Sequence, residues 1–201
     1  MSRMKDAQKD FIIEEALKMF LAKSIDEVTM SEIAKEVEIG DATLYRYFTK
    51  KQNIIVLSAI KLANRVLTNY FSFGGLDDVE ILRKFYSNYL NIYIEHREFY
   101  KFLNEFDAYI INEEFDSVGT GYEKGIEAYK DIYFNAYNSA VKNGKIKEVQ
   151  DIEAFYSSTT HVLLDLGKRL SRKKTILKSD EHSNYKELQI MVDIILNSLI
   201  K

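Results

Sequence analysis

Not one proline occurs in this chain of 201 residues, and glycine occurs only 8 times. Proline removes an amide donor and clashes inside a helix, while glycine is the usual residue where the backbone must reverse. A chain so poor in both has few places to turn and reads as helix nearly throughout. Apolar residues repeat at helical spacing to match: Ile13, Ala16, Leu17 and Phe20; Ile55, Ala59, Leu62 and Val66; Val79, Leu82, Tyr86, Leu90 and Tyr93; Ile126, Tyr129, Tyr133, Tyr137 and Val141; Ile152, Phe155 or Tyr156, Thr159, Leu163, Leu166 and Leu170; Leu188, Val192, Ile195 and Leu199. A short helix is predicted from Phe99 to Phe106, a break at Gly74-Gly75, a loop over 116–121, a left-handed cap at Asn143-Gly144 and a last helix from about Asn184. No alternating segment is long enough to predict a strand, so the fold class is all-α.

The composition also removes several kinds of chemistry. Without cysteine there is neither a disulfide framework nor a thiolate metal site. His96, His161 and His182 lie far apart in no metal-ligand spacing, with His161 predicted to pair with Asp165 one turn on; neither metal nor cofactor is expected. No Ser/His/Asp arrangement, phosphate-binding glycine loop or close carboxylate pair on an apolar face stands out, so no enzyme is expected. The chain has no run of 18 uncharged apolar residues, and its polar N-terminus leads into an amphipathic helix, which predicts a cytoplasmic protein without membrane span or signal peptide. The densest basic run, Lys168 to Lys174, falls at a predicted helix end, where cations complement the negative terminus, and it is assigned no function.

Residues 29–51 are the most informative stretch. Thr29 and Glu32 make a capping box, and Ile33, Ala34 and Val37 form a one-sided apolar stripe, so a short helix starts at about Met30. It stops near Glu38, where Glu38-Ile39-Gly40 turns the chain. Leu44 and Phe48 then anchor a second short helix whose other side carries Thr43, Arg46 and Tyr47. Thr49 and Gln52 make a second capping box, opening a long helix with Lys50 and Lys51 in its first turn. Two short helices joined tightly and followed by a third is the plan of a helix-turn-helix. The net charge of −3 argues against a nucleic-acid partner until its distribution is read. Residues 24–41 carry six acids (Asp26, Glu27, Glu32, Glu36, Glu38, Asp41) against Lys35, whereas residues 42–65 carry five bases (Arg46, Lys50, Lys51, Lys61, Arg65) and no acid. The positive field is therefore predicted on the second short helix and the start of the next, where phosphates would lie.

This stretch resembles the DNA-binding domain of the TetR family of transcriptional regulators in Thr29, Ile33-Ala34, Thr43-Leu44-Tyr45, Tyr47-Phe48 and Lys51, and upstream in Ile13, Ala16, Leu17 and Phe20. It departs at Ser24 and Glu38, where glycines are usual, and at Gly40-Asp41, where a serine followed by a basic or small residue is common. A non-glycine residue at positive φ costs on the order of 1 kcal/mol. The resemblance implies an N-terminal three-helix DNA-binding domain with its connecting helix over 1–73, and a C-terminal helical bundle for effector binding and dimerisation over 74–201. It further implies a homodimer on palindromic operator DNA, usually a repressor, released by an effector. The implied DNA-binding residues are Thr29, Ser31, Asp41, Thr43, Tyr45, Arg46, Tyr47 and Lys51. Thr43 and Arg46 fall at base edges or nearby backbone and Tyr45, Tyr47 and Lys51 at phosphates, while Asp41 either repels phosphate or accepts from a cytosine amine. The last two helices are the expected dimer faces, because Leu163, Leu164 and Leu166, then Ile190, Met191, Val192, Ile194, Ile195 and Leu196, put apolar residues around more than one side.

The C-terminal part is rich in large rings with polar tips. Tyr86, Tyr89, Tyr93, Phe102, Phe106, Tyr129, Tyr133, Tyr137 and Tyr156 are the candidate lining of a pocket for a mostly apolar, ring-containing effector. Buried tyrosine hydroxyls need partners, and many of them converging are easier to satisfy around a wet or ligand-filled cavity. The same spacing also describes a filled aromatic core. Two alternatives stay open: a DNA-binding regulator without a small-molecule effector, controlled by a protein partner or by abundance, and an enzyme or scaffold that merely contains a helix-turn-helix.

Overall fold

In the computed structural model, which describes residues 2–110, 120–172 and 181–201, the chain forms nine helices among those residues. They are α1 (Ser2–Ala22), α2 (Met30–Glu36), α3 (Asp41–Tyr47), α4 (Lys51–Tyr70), α5 (Asp78–Glu95), α6 (Arg97–Ile110), α7 (Thr120–Lys142), α8 (Ile152–Leu170) and α9 (Glu181–Leu199). Most differences from the sequence reading are at ends. The helix read as Phe99 to Phe106 extends in both directions as α6, and α4 starts one residue later than a Thr49–Gln52 capping box requires. The loop expected over 116–121 falls at 116–119 outside the described residues, and Thr120 and Gly121 already belong to α7. Asn143-Gly144 does end that helix, with Gly144 at φ 67. Beyond it, Ile146 bridges to Ile200 and the Lys147 amide donates to the Leu199 carbonyl at 2.7 Å, so the turn after α7 is stitched to the end of α9.

Two units divide the chain: Met1–Arg65 with Phe102–Glu123, and Val66–Lys101 with Lys124–Lys201. The division runs inside α4, α6 and α7, whereas Gly74-Gly75 lies in the turn after α4. In the first unit, Ile12, Leu17 and Phe20 of α1, Ile33 of α2, Leu44 of α3 and Ile54 and Ile55 of α4 are buried together, each contributed by the inward stripe of its helix. On the outer side Lys61 and Arg65 of α4 pair with Glu14 of α1 at 3.2 and 2.8 Å. Arg65 and Lys61 hold the Glu14 carboxyl below its usual range.

The second unit is built on aromatic residues. Asp77 caps α5, accepting from the Val79 and Glu80 amides at 2.9 Å each while Glu80 accepts from the Asp77 amide at 2.8 Å. One face of α5 is then buried from Leu82 through Tyr93. Tyr100 of α6 is fully buried; its hydroxyl donates to the Tyr89 carbonyl at 2.9 Å and its ring lies over Gly167 of α8. At the end of α8 the Leu170 carbonyl accepts from Tyr93, Arg97 and Asn184 at 3.2, 3.2 and 3.3 Å, so side chains of α5, α6 and α9 meet on one helix terminus. Asp165 pairs with Lys168 at 3.0 Å rather than with His161, because a long ammonium one turn toward the helix end reaches it directly.

A methyl group on Gly167 would lie 2.5 Å from the Tyr100 ring, closer than van der Waals contact allows. Gly167→Ala is therefore expected to destabilise the protein by about 1–3 kcal/mol, the usual cost of overpacking a tight core. Chemical denaturation checks this, and an unchanged midpoint would contradict it.

Candidate nucleic-acid interface

The turn between α1 and α2 is assembled from reciprocal bonds. The Ser24 amide donates to the Glu27 carboxylate at 3.2 Å and the Glu27 amide to the Ser24 hydroxyl at 3.3 Å. Ile25, 2% exposed, is fastened at both backbone atoms: its amide donates to Glu105 of α6 at 3.0 Å and its carbonyl accepts from Lys51 of α4 at 2.5 Å. Thr29 then caps α2. Its hydroxyl accepts from the Glu32 amide at 3.2 Å, and the Glu32 carboxylate accepts from the Thr29 amide at 2.8 Å.

After α2, Glu38 takes φ 55, the left-handed region where glycine is usual. Its Ile39 neighbour donates to the Ala34 carbonyl at 2.9 Å, satisfying an orphan acceptor of the helix end. Gly40 is the N-cap of α3 in an extended conformation, without a side-chain cap. Ser31 of α2 and Asp41 of α3 are joined by a 2.7 Å hydrogen bond from hydroxyl to carboxylate.

On α3, Leu44 and Phe48 point into the core at 0% and 3% exposure, which fixes the opposite face. That face carries Asp41, Ala42, Tyr45 and Arg46, all exposed, with Thr43 and Tyr47 half-buried at its edges. Ala42 was not legible as part of it from residue type; its i, i+4 relation to Arg46 is the signal that places the two side by side. Lys50 is exposed at the foot of α4, whereas the Lys51 ammonium is half-buried on the Ile25 carbonyl and burial lowers its pKa. The field read from residues 42–65 is correspondingly narrower than the sequence suggests. Lys61 and Arg65 pair with Glu14, which leaves Arg46 and Lys50 as the exposed cations of that stretch outside an ion pair. Acids on the α2 side are partly absorbed as well, Glu32 by Thr29 and Lys23 and Asp41 by Ser31.

The aromatic candidates do not form one group. Phe102 and Phe106 belong to the first unit and stack on each other at 6.2 Å, while Tyr86, Tyr89, Tyr93, Tyr129, Tyr133, Tyr137 and Tyr156 belong to the second. There, Tyr133 lies 5.8 Å from Tyr86 and 4.9 Å from Tyr156, and Tyr129 lies 5.0 Å from Phe71. Phe85 stands among Tyr86, Tyr89, Tyr133 and Tyr156, a central position that a ring without a polar tip does not signal in the sequence. The Tyr86 hydroxyl bonds Tyr133 at 2.8 Å and Thr159 at 3.0 Å, and the Tyr137 hydroxyl accepts from the Val149 amide at 2.8 Å. Burial pushes the Tyr86 phenol up to about 12 and raises Tyr133 further, so both stay neutral.

Residues 12–56 match the family model described as bacterial regulatory proteins, tetR family. This segment carries the TetR-family signature. Among characterised TetR-type regulators it is 30% identical over 103 residues to the Staphylococcus aureus negative transcriptional regulator of the biofilm operon icaADBC, IcaR, covering 43% of this chain and 52% of that one. With the Streptomyces glaucescens transcriptional regulator TcmR it shares 37% identity over 54 residues, 26% of this chain and 24% of that one. The chain thus spans about half, or less, of the length of these relatives. A transcriptional regulator from Saccharomonospora viridis shares the fold with a TM-score of 0.73 at 17% identity, over 98% of this chain and 99% of that one. The segment that matches the family model spans α2 and α3 whole, together with parts of α1 and α4.

The Thr29 amide, then Lys23 and the Thr29 hydroxyl, hold the Glu32 carboxyl down to about 2 from 4.5. A depressed carboxylate stabilises the fold above its unfolded value and ceases to do so as pH falls through its folded one. The wild type is therefore expected to lose stability between about pH 4.5 and pH 2 through this group. Glu32→Gln should flatten that part of the pH profile, and an NMR titration of Glu32 with an ordinary carboxylate midpoint would contradict it.

Proposed function

We propose that the chain is a DNA-binding transcriptional regulator that acts as a homodimer on palindromic operator DNA, in the first instance as a repressor. The observation that carries the reading is the outward face of α3, with Tyr45 and Arg46 exposed over a buried Leu44 and Phe48. A recognition helix needs that division, because one side must hold it to the domain while the other enters a major groove. In this reading Thr43 and Arg46 reach base edges, Ala42 meets a thymine methyl, and Tyr45, Tyr47 and Lys50 meet phosphates. Thr29, Ser31 and Lys51 shape and hold the reading head, with Lys51 near enough to the same backbone to add its charge. The proposed division of roles follows 1–73 for DNA and 74–201 for control and assembly. No helix among the described residues is long and apolar enough to cross a membrane, and the proposed setting is the cytoplasm, with the DNA. No catalytic role is proposed for any residue.

Binding to a selected duplex is expected to weaken steeply as salt rises, since phosphate contacts release counterions. Lys50→Ala should weaken all sequences alike and reduce the salt slope by about one, whereas Arg46→Ala should change which sequences are preferred. Fluorescence anisotropy at several salt concentrations measures both; a salt-independent interaction rejects the reading.

For assembly, Val162 of α8 and Ile190 and Ile194 of α9 are 44%, 58% and 57% exposed, apolar surface that a second copy of the chain would cover. The double substitution Ile190→Glu with Ile194→Glu is expected to give a folded monomer by light scattering. Its operator affinity should fall on the order of a hundredfold, because two half-sites are then no longer held together. A dimer of unchanged mass would show that the faces lie elsewhere.

Control by a mostly apolar small molecule held among the tyrosines of the second unit is the proposed release mechanism. A regulator of this fold, from Saccharomonospora viridis, has been solved in complex with a small organic molecule, the cation choline. A second reading, a regulator without an effector, is favoured by the rings packing on one another with their hydroxyls paired inside the protein. A thermal-shift screen of aromatic and hydrophobic compounds separates the two. Any true effector must bind operator-loaded protein more weakly by the same factor by which it weakens DNA binding, typically about 5- to 150-fold.

A further inference from the structure

Asp41 is an acid on the outward face of the helix read as the DNA-recognition element, a place where a phosphate would be repelled. It does not stand alone. The Ser31 hydroxyl donates to its Oδ2 at 2.7 Å across the turn between α2 and α3, and both side chains are exposed. That bond takes up one lone-pair direction and holds the carboxyl group in one orientation at the start of α3, with Tyr45 one turn further along the same side. An ionised carboxylate is an acceptor only, so the remaining directions, including those of Oδ1, ask for donors.

Base edges in a major groove differ in what they offer such a group. Cytosine presents an amino donor, guanine two acceptors, thymine an acceptor and a methyl, and adenine an amino group beside an acceptor nitrogen. A pinned carboxylate is therefore attracted to cytosine and repelled by guanine and thymine, and it meets adenine with one favourable and one unfavourable contact. We propose that Asp41, oriented by Ser31, is a specificity-determining residue that selects cytosine at one position of each half-site and rejects bases that present acceptors there. The inference rests on the DNA-binding reading above and deepens it: a side chain that weakens attraction to DNA in general sharpens the choice among sequences.

The test is selection of duplexes from a randomised library by the full chain and by Asp41→Asn, Asp41→Ala and Ser31→Ala. The wild type should enrich a site with one cytosine position per half-site that responds to residue 41. Asp41→Asn retains an acceptor for Ser31 and adds an amide suited to adenine, so that position should change from cytosine to adenine, by on the order of tenfold in relative enrichment. Asp41→Ala should leave the position unselected, with tighter binding to sequences that lack cytosine there, and Ser31→Ala should keep cytosine with a reduced preference. If the wild type selects a defined site and both Asp41 variants select the same one, the proposal is overturned and Asp41 only repels phosphate. Full cytosine preference in Ser31→Ala would overturn the orienting role of Ser31. A wild type that enriches no sequence would instead overturn the DNA-binding reading beneath the proposal.

Discussion

The reading head depends on how Ile25 is held. Its side chain is in the core, its amide is taken by a carboxylate of α6 and its carbonyl by an ammonium of α4. These bonds join positions 80 and 26 residues apart in sequence to a single residue of the turn that launches α2. Holding a lysine half-buried costs solvation, and the lowered pKa of Lys51 registers that cost; the carbonyl oxygen and the charges of Asp26 and Glu32 offset it. Thr29, the α2 cap and the Ser31–Asp41 bond all lie downstream of this residue. The direction in which α3 presents Tyr45 and Arg46 is thus set by polar contacts to a backbone, not only by apolar packing beneath the helix.

The second unit solves a different problem, that of burying tyrosines. Each of the deeply buried phenols carries a hydroxyl that must be satisfied, and the partners are drawn from the protein itself: Tyr86 with Tyr133 and Thr159, Tyr100 with the Tyr89 carbonyl, Tyr93 with the Leu170 carbonyl. Among the described residues no buried side-chain polar atom lacks a partner. Such bonds are directional where apolar contacts are not, so they fix how α5, α6, α7 and α8 stand against each other in register as well as in distance. Gly167 belongs to the same arrangement, since its missing side chain is the space that the Tyr100 ring occupies.

Helix type and number were legible because period and punctuation agree: the apolar stripes run unbroken where the helices run, and Gly74-Gly75 and Asn143-Gly144 fall at turns. The capping box at Thr29 was legible for the same reason, being a local pattern of residue types with one geometry. What escaped were pairings between residues distant in sequence. Lys61 and Arg65 look like free cations until Glu14 of another helix is seen beside them, and the bond from Lys51 to the Ile25 carbonyl is invisible in the sequence. The distribution of the aromatic candidates over the two units escaped on similar grounds. Phe102 and Phe106 share helical spacing with the tyrosines but sit in the other unit, and helical spacing says which face a residue is on without saying what that face meets.

Glu38 bears on how tightly the proposed DNA-binding face would hold a duplex. Its left-handed backbone is one that glycine adopts without penalty, and its exposed carboxylate lies in the turn beside the reading face. A single exchange to glycine would lower both the conformational cost of the turn and the negative charge next to the DNA. The residue present therefore keeps the turn less stable, and its surroundings more negative, than glycine would. Under the DNA-binding function proposed above, that restraint shortens the time spent on a site, because weaker attraction to phosphate lets the protein leave sooner.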